Sequence, residues 1–529
     1  MKKVKRIVSF LLVLAMIFSL VACGSNEEGK GEGQNVQGGT EEGAKVVNLA
    51  LSENIVELDP HNVVNLPGIV ACYMIFDYLV DSDHEGNYEP CLATEWTPSE
   101  DGLTWTFKLR EGVKFHNGEE FDSEDVVCTF QRLIDNPELA VKFTYWPYLE
   151  SVSAVDKYTV ELTMSEPFGA IEYSLANTWI IPNEAWEEYG TALWTEQMCP
   201  GTGPWKLDEW VDGQYTHFFK NDEFWGDFDS YYDEVYFRHI LEASTAIAGH
   251  VTGDIDAYIA SSGIVTDMLP LYDGTEDKIE KVEVDTGSFQ FVGFQCEESS
   301  PFSDINVRKA FMYAIDRQLI VDTVLGAGSV PNGLMVEGVM GYDPNQNGYD
   351  YNPEKAKELL EKSNYNGEPI VLNSHTSTMK AEQVLIAMSD MLNEVGFNTS
   401  VQVVEIATLG EMRATGDYDV YMVTNMHIGG DPYTHINQRI LNDNAHSNYH
   451  DETLNSLIEQ SNHETDPVKR EELLRQANNR ICEEVAPHFV LDKLKATYAV
   501  NYGVTGLQLY TDGFFNCRYV TYDPSLVKQ

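Results

Sequence analysis

"PIVLNSHTSTMKAEQVLIAMSDMLNEVGFNTSVQVVEI" fills residues 369–406, and its periodicity changes twice. Pro369 to Leu372 reads as a strand. From Ala381 to Val395 the residues Val384, Leu385, Met388, Met391, Leu392 and Val395 recur at helical spacing, and Gly396 ends the run. Val401 to Ile406 returns to strand character. A crossover of that length makes the two strands parallel neighbours. A short helix around Leu409 and Met412 then leads to another strand, Tyr418 to Val423. This part of the chain is therefore α/β with a substantially parallel sheet.

Working toward the N-terminus, Asn352-Pro353 starts a helix, with a cap followed by proline in the first turn, and Ala356, Leu359 and Leu360 facing inward. Asn306 is a candidate cap for a helix whose apolar residues are Val307, Ala310, Phe311, Ala314 and Ile315. The first half has a different texture, with short strands and turns. TWTFKL (104–109) and YTVELTM (158–164) alternate as half-buried strands do. Asp122 followed by Asp125 forms a capping pattern ahead of Val126, Val127, Phe130 and Leu133.

NMHIGGDPYTH, residues 425–435, follows the carboxyl end of a predicted parallel strand, where ligand-binding loops of open α/β sheets gather. Gly429 and Gly430 permit backbone shapes that other residues resist, and His427, Asp431 and Tyr433 add polar reach. A plain strand-to-helix loop accounts for the same residues equally well.

The N-terminal segment has another character. Lys2, Lys3, Lys5 and Arg6 precede an apolar run from Ile7 to Leu20, too short to span a bilayer comfortably and suited to a cleaved signal peptide. Leu20-Val21-Ala22-Cys23 resembles a bacterial lipobox, which implies diacylation of Cys23; two acyl chains suffice for stable anchoring. Residues 24–45 are polar and glycine-rich, a composition that makes a flexible tether. Folded sequence is expected from Val46.

The chain past that point exceeds one ordinary core and implies two or three lobes. The formal charge is −51, spread along the chain. A field of that sign argues against nucleic acid and against lying on anionic lipid. Beyond Cys23, seven widely spaced cysteines contain no CxxC pair, so buried thiols are the expectation.

Six stretches together resemble the extracellular solute-binding proteins of peptide/nickel-type ABC importers over nearly all of the mature length. They are ELDPHNVVN (57–65), the dense stretch from Tyr88 to Leu133, GTGPWKLDEW (201–210), VRKAFMYAIDRQLIV (307–321), YNPEKAKELL (351–360) and DPVKREELLRQANNRICEEVAP (466–487). The resemblance implies a two-lobed periplasmic-binding-protein-like α/β fold with a cleft between lobes and an additional α+β subdomain on the first. The expected division is signal peptide 1–22, lipidated tether 23–45, lobe I 46–285 with the subdomain, lobe II 286–494, and a return to lobe I over 495–529. The crossings near Asp285-Thr286 and Asp492-Lys493 would be the hinge.

The function so implied is an extracytoplasmic, lipid-anchored monomer that binds one small solute and hands it to permease subunits, with no catalysis and no cofactor. An oligopeptide is the expected ligand; oligosaccharides and metal chelates are the alternatives. In peptide binders of this family an aspartate three residues before the shared Asp-Pro pairs with the ligand's α-amine. Here that position is Ile428, and Asn425 replaces the usual aromatic, leaving Asp431 as a substitute carboxylate. The candidate ligand-binding residues are thus Asn62, Asn65, Trp146, His427, Ile428, Asp431 and Tyr433. Tyr145, Trp179 and Trp205 are further stacking candidates, with the core as their commoner fate.

The sequence lacks a P-loop, an HExxH and a GxSxG. His435, His446 and His450 crowd one region at a spacing that fits no defined metal site. A surface-tethered hydrolase with paired carboxylates is the competing reading; the six motifs leave no segment for a separate catalytic module.

Overall fold

The computed structural model describes residues 44–529 apart from 84–86, 196–197, 261–262, 347, 427–429, 440–448, 486, 510–514 and 528–529. The expectations at Cys23, His427, Ile428 and His446 lie outside the described residues. Among the described residues, no helix is long and apolar enough to cross a membrane.

A ten-stranded mixed sheet runs through the molecule. In spatial order its strands are Asn398–Val404, Pro369–His375, Val420–Met426, Ile279–Phe294, His488–Asn501, Ala257–Ile259, Val46–Leu51, Glu234–His239, Tyr215–Lys220 and Trp205–Val211. The crossover predicted at 369–406 is present: Pro369–His375 pairs in parallel with Asn398–Val404 and with Val420–Met426. The helix between them spans Ala381–Val395, closed by Gly396 in the left-handed region at φ 112°. The second strand begins earlier than its apolar pattern suggested, at Asn398, and Ile406 starts the next helix, Ile406–Thr415. The cap ahead of Val307 is Asp304, whose carboxylate accepts the Asn306 N–H; the helix is Ile305–Ala314, so Asn306 lies inside its first turn. The Asp122–Asp125 capping box is formed as read.

Two long strands, Ile279–Phe294 and His488–Asn501, are antiparallel neighbours in the middle of the sheet. Their ladder is irregular between Asp285 and Phe289 and again between Gln290 and Phe291. One core on one side of this irregularity contains Val47, Phe218, Val235, Phe237, Ala496 and Tyr498. On the other side, Val292, Phe294, Phe311, Leu372, Val384, Met388 and Leu491 form a second. Pro369–His375 and its helix thus belong with the second core, Val46–Leu51 with the first.

A separate four-stranded antiparallel sheet, in the order Ala93–Pro98, Thr104–Leu109, Thr159–Met164, Leu149–Asp156, has its own core around Phe107, Phe130, Trp146, Leu162 and Phe168. The LDPH motif fastens the large sheet to this smaller one. Asp59 accepts two hydrogen bonds from Arg132, at 2.5 and 2.8 Å, and Arg132 Nη1 also donates to His61 Nδ1 at 2.8 Å. His61 Nε2 then donates to the Trp179 carbonyl at 2.9 Å. Burial and the adjacent guanidinium push the imidazole down to about 4, so it is neutral at physiological pH. A second such pair, Asp77 with Arg518, ties the C-terminal segment back to the first core, with Asp77 also accepting from Thr202 and Trp225.

Candidate functional site

The loop after Val46–Leu51, running into the helix Leu66–Ile75, forms one wall of a cavity of about 540 Å³. Its contribution is Glu53, Val63, Val64, Asn65, Leu66 and Ile69. The loop is held tightly. Asn65 Nδ2 donates to the Asn54 carbonyl at 2.8 Å, and a Cβ at Gly68 would meet Val63 Cγ2 at 2.5 Å. The short helix Ala140–Tyr145 adds Thr144 and Tyr145, and is tied to the same loop by the Val141 N–H donating to the His61 carbonyl at 3.1 Å.

The floor comes from the two long strands, through Thr286, Ser288, Lys495 and Tyr498. The opposite wall carries Ser377, Met379 and Thr424, from loops and strand ends beside the parallel strands. Gln290, wholly buried, fixes that wall by donating from Nε2 to the Met379 carbonyl at 2.8 Å. The cavity therefore lies between the two cores and against the strands that join them. Its size falls within the range of small-molecule sites. Among its described lining residues Glu53 is the one carboxylate and Lys495 the one cation; hydroxyls and aliphatic side chains make up most of the rest.

The predicted residues distribute unevenly. Asn65 and Tyr145 line the cavity. Asn62 does not; its amide donates to both oxygens of Glu57, at 3.1 and 3.0 Å. Trp146 is a core residue. It is fully buried, its indole N–H donates to the Thr178 hydroxyl at 2.7 Å, and it meets Phe130 edge-on. Trp179 and Trp205 are also core. Tyr433 packs in the core of the smaller sheet, its ring 5.3 Å from that of Phe168. Asp431 is only 2% exposed, and Arg470 donates to both of its oxygens, at 2.6 and 3.0 Å. One of them also accepts the Tyr433 N–H at 2.8 Å. The Asp-Pro carboxylate is committed to a structural ion pair away from the cavity, and the physical reason is the arginine that the 466–487 motif delivers to it.

Sequence reading passed over Glu53, Thr286, Ser288, Ser377, Thr424 and Lys495. They carry no motif, and the fold brings them together from five separate parts of the chain. The available signal is the pair of expected crossings: Thr286 and Ser288 lie at and just past the one near Asp285-Thr286, and Lys495 two residues past the one near Lys493.

The described cysteines beyond Cys23 are all free thiols, five of them buried. Among the described residues no group of three or more His, Cys, Asp or Glu side chains is placed to hold a metal ion.

Comparison with known proteins gives the family and the fold. The profile of the bacterial extracellular solute-binding proteins, family 5 Middle, matches residues 87–447. The glutathione-binding protein GsiB of Escherichia coli is 28% identical over 361 residues, covering 68% of this chain and 69% of that protein. The nickel-binding periplasmic protein of Escherichia coli K12 is 28% identical over 386 residues, covering 67% and 70%. Among solved structures, the ABC transporter substrate-binding protein CtaP of Listeria monocytogenes superposes with a TM-score of 0.80 at 19% identity, over 90% of this chain and 99% of that one. The dipeptide-binding protein of Pseudoalteromonas sp. SM9913, in complex with Met-Leu, gives 0.75 at 20% identity, over 90% and 100%. The α/β two-lobed binding-protein fold is common to them. The chain belongs to the bacterial extracellular solute-binding proteins, family 5, which are extracytoplasmic substrate-binding components of ABC importers and not enzymes.

Proposed function

We propose that the protein is a lipid-anchored receptor, monomeric, that closes over one short peptide in the cavity between its two cores and delivers it to permease subunits of an ABC importer. The observation that carries the peptide reading is the lining: among the described residues one acid and one base, together with the hydroxyl-bearing residues Thr144, Ser288, Ser377 and Thr424 and aliphatic side chains. Hydroxyls both donate and accept, which suits peptide amides, and the aliphatic residues suit side chains of varied size. In this reading the irregular stretch of the two long strands is the hinge, lobe I comprises residues 46–285 and 495–529, and lobe II the segment between. Acylation of Cys23 and the tether that follows it would keep the receptor near its permease and raise the local concentration there.

Native mass spectrometry of the purified protein, compared with its denatured mass, tests this directly. A retained adduct with peptide fragmentation is the expected result. A hexose ladder or a metal chelate as the retained species would move the ligand to another class.

A further inference from the structure

A free α-amine enclosed in the cavity requires an anionic partner, because an isolated ammonium taken out of water costs several kcal/mol. Asp431 is unavailable, with both oxygens held by Arg470 and one of them also by the Tyr433 N–H. Resting on the reading of the cavity as a peptide site, we propose that Glu53 binds the α-amine and Lys495 the terminal carboxylate, so that the ligand is a zwitterionic peptide of two or three residues.

Three observations support this assignment. Glu53 is the one carboxylate among the described lining residues, and its neighbours on either side are fixed: the Ser52 N–H donates to the Ile259 carbonyl at 3.3 Å, and the Asn54 carbonyl accepts from Asn65. The backbone that carries it is thus held in place, which lowers the ordering cost of binding. Second, the strand leading to Glu53 and the strand carrying Lys495 are separated by the single strand Ala257–Ile259. Two strand spacings amount to roughly 10 Å. At about 3.3–3.6 Å per extended residue, two to three residues bring an amine and a carboxylate to opposite sides of such a gap. Third, Glu53 is exposed to solvent. Its charge is therefore hydrated and can be held there without a buried counter-ion.

The test is isothermal titration of the purified protein and its Glu53→Gln variant with Ala-Leu and Ala-Leu-Ala, each also in N-acetylated form. The expected result is that the wild type binds at least one free-amine peptide, and that E53Q weakens it by about thirtyfold or more. N-acetylation should do the same to the wild type and add little further loss in E53Q. Lys495→Met should weaken the free-acid peptide and leave its C-terminal amide nearly unaffected. Binding by E53Q equal to wild type, or N-acetyl peptides bound as tightly as free ones, overturns the assignment of Glu53 while leaving the peptide reading in place. Failure of every peptide to bind the wild type, with an adduct of another class seen by native mass spectrometry, overturns both. Because Glu53 is exposed and outside every core, E53Q should melt with the wild type, and matched melting curves separate lost binding from lost folding.

Discussion

Asp431 and Asp492 are both buried where the two halves of the molecule meet, yet they are treated oppositely. Asp431 lies where the smaller sheet rests on the segment that starts at Asp431 and on the helix Pro467–Asn479, with Tyr88, Trp105 and Gly169 close by, and Arg470 answers its charge. Asp492 lies in the irregular ladder of the two long strands, fully buried, and neither of its oxygens has a well-formed hydrogen bond. Burial pushes its carboxyl up to about 8, outweighing the Gln290 backbone N–H and the Arg317 guanidinium. The difference follows from what each region places beside the buried carboxyl. Arg470 stands against Asp431 and keeps its charge answered out of water. Among the described residues, the paired strands at Asp492 set no cation in contact with it, and the acid is held in its neutral form.

Removing the arginine should have the largest effect. Arg470→Met leaves Asp431 buried without a counter-charge, and we expect a loss of about 3–5 kcal/mol in urea unfolding. A loss under 1 kcal/mol would show that water reaches Asp431 and that the contrast is false.

Asp492→Asn should alter the pH dependence instead. A carboxyl raised from its ordinary 3.8 to about 8 keeps its proton in the folded state after the unfolded chain has released it. Its stabilising contribution is therefore full below about pH 4 and lost as pH rises toward 8. Between pH 5 and pH 8 the wild type should lose up to about 4 kcal/mol that the variant does not. Parallel urea midpoints for the two proteins across that range would contradict a protonated Asp492.

A smaller effect is expected where the smaller sheet touches the second half. The Gly169 N–H donates to the Asn462 carbonyl at 2.7 Å, and a Cβ at Gly169 would stand 2.2 Å from the Glu464 backbone oxygen. Gly169→Ala should hold the two faces apart and weaken peptide binding about tenfold by depopulating the closed form. A larger radius of gyration in ligand-free solution scattering would accompany it. The smallest effect belongs to the rim. Glu166 and His463 are 2.9 Å apart but partly exposed, and Glu166→Gln should change stability by no more than about 0.5 kcal/mol.

Periodicity revealed the parallel unit because its helix buries one continuous face, so Val384, Leu385, Met388 and Leu392 could be read before their partners were known. Capping was equally legible at Asp122 and Asn352, where side chain and backbone groups are neighbours in sequence. Strand ends were not. Asn398 to Ser400 pair through backbone alone, without an apolar pattern to mark them. The cavity was hidden for a related reason. Serines and threonines that face it are indistinguishable in sequence from those that face solvent, and the feature that selects them is a juxtaposition of distant segments. Asp431 is the opposite case: conspicuous in sequence, it is held in the structure by Arg470 and stands away from the cavity.

The place of His488–Asn501 inside the large sheet has a consequence for biosynthesis. Ala257–Ile259 pairs with Val46–Leu51 on one side and, on the other, with a strand that lies roughly 230 residues further along the chain. Until that strand docks, the first core presents an unpaired strand edge, the kind of surface on which chains aggregate. Completion of this lobe is therefore a late event, set by the arrival of the C-terminal strand and not by the folding speed of the residues that make up most of it.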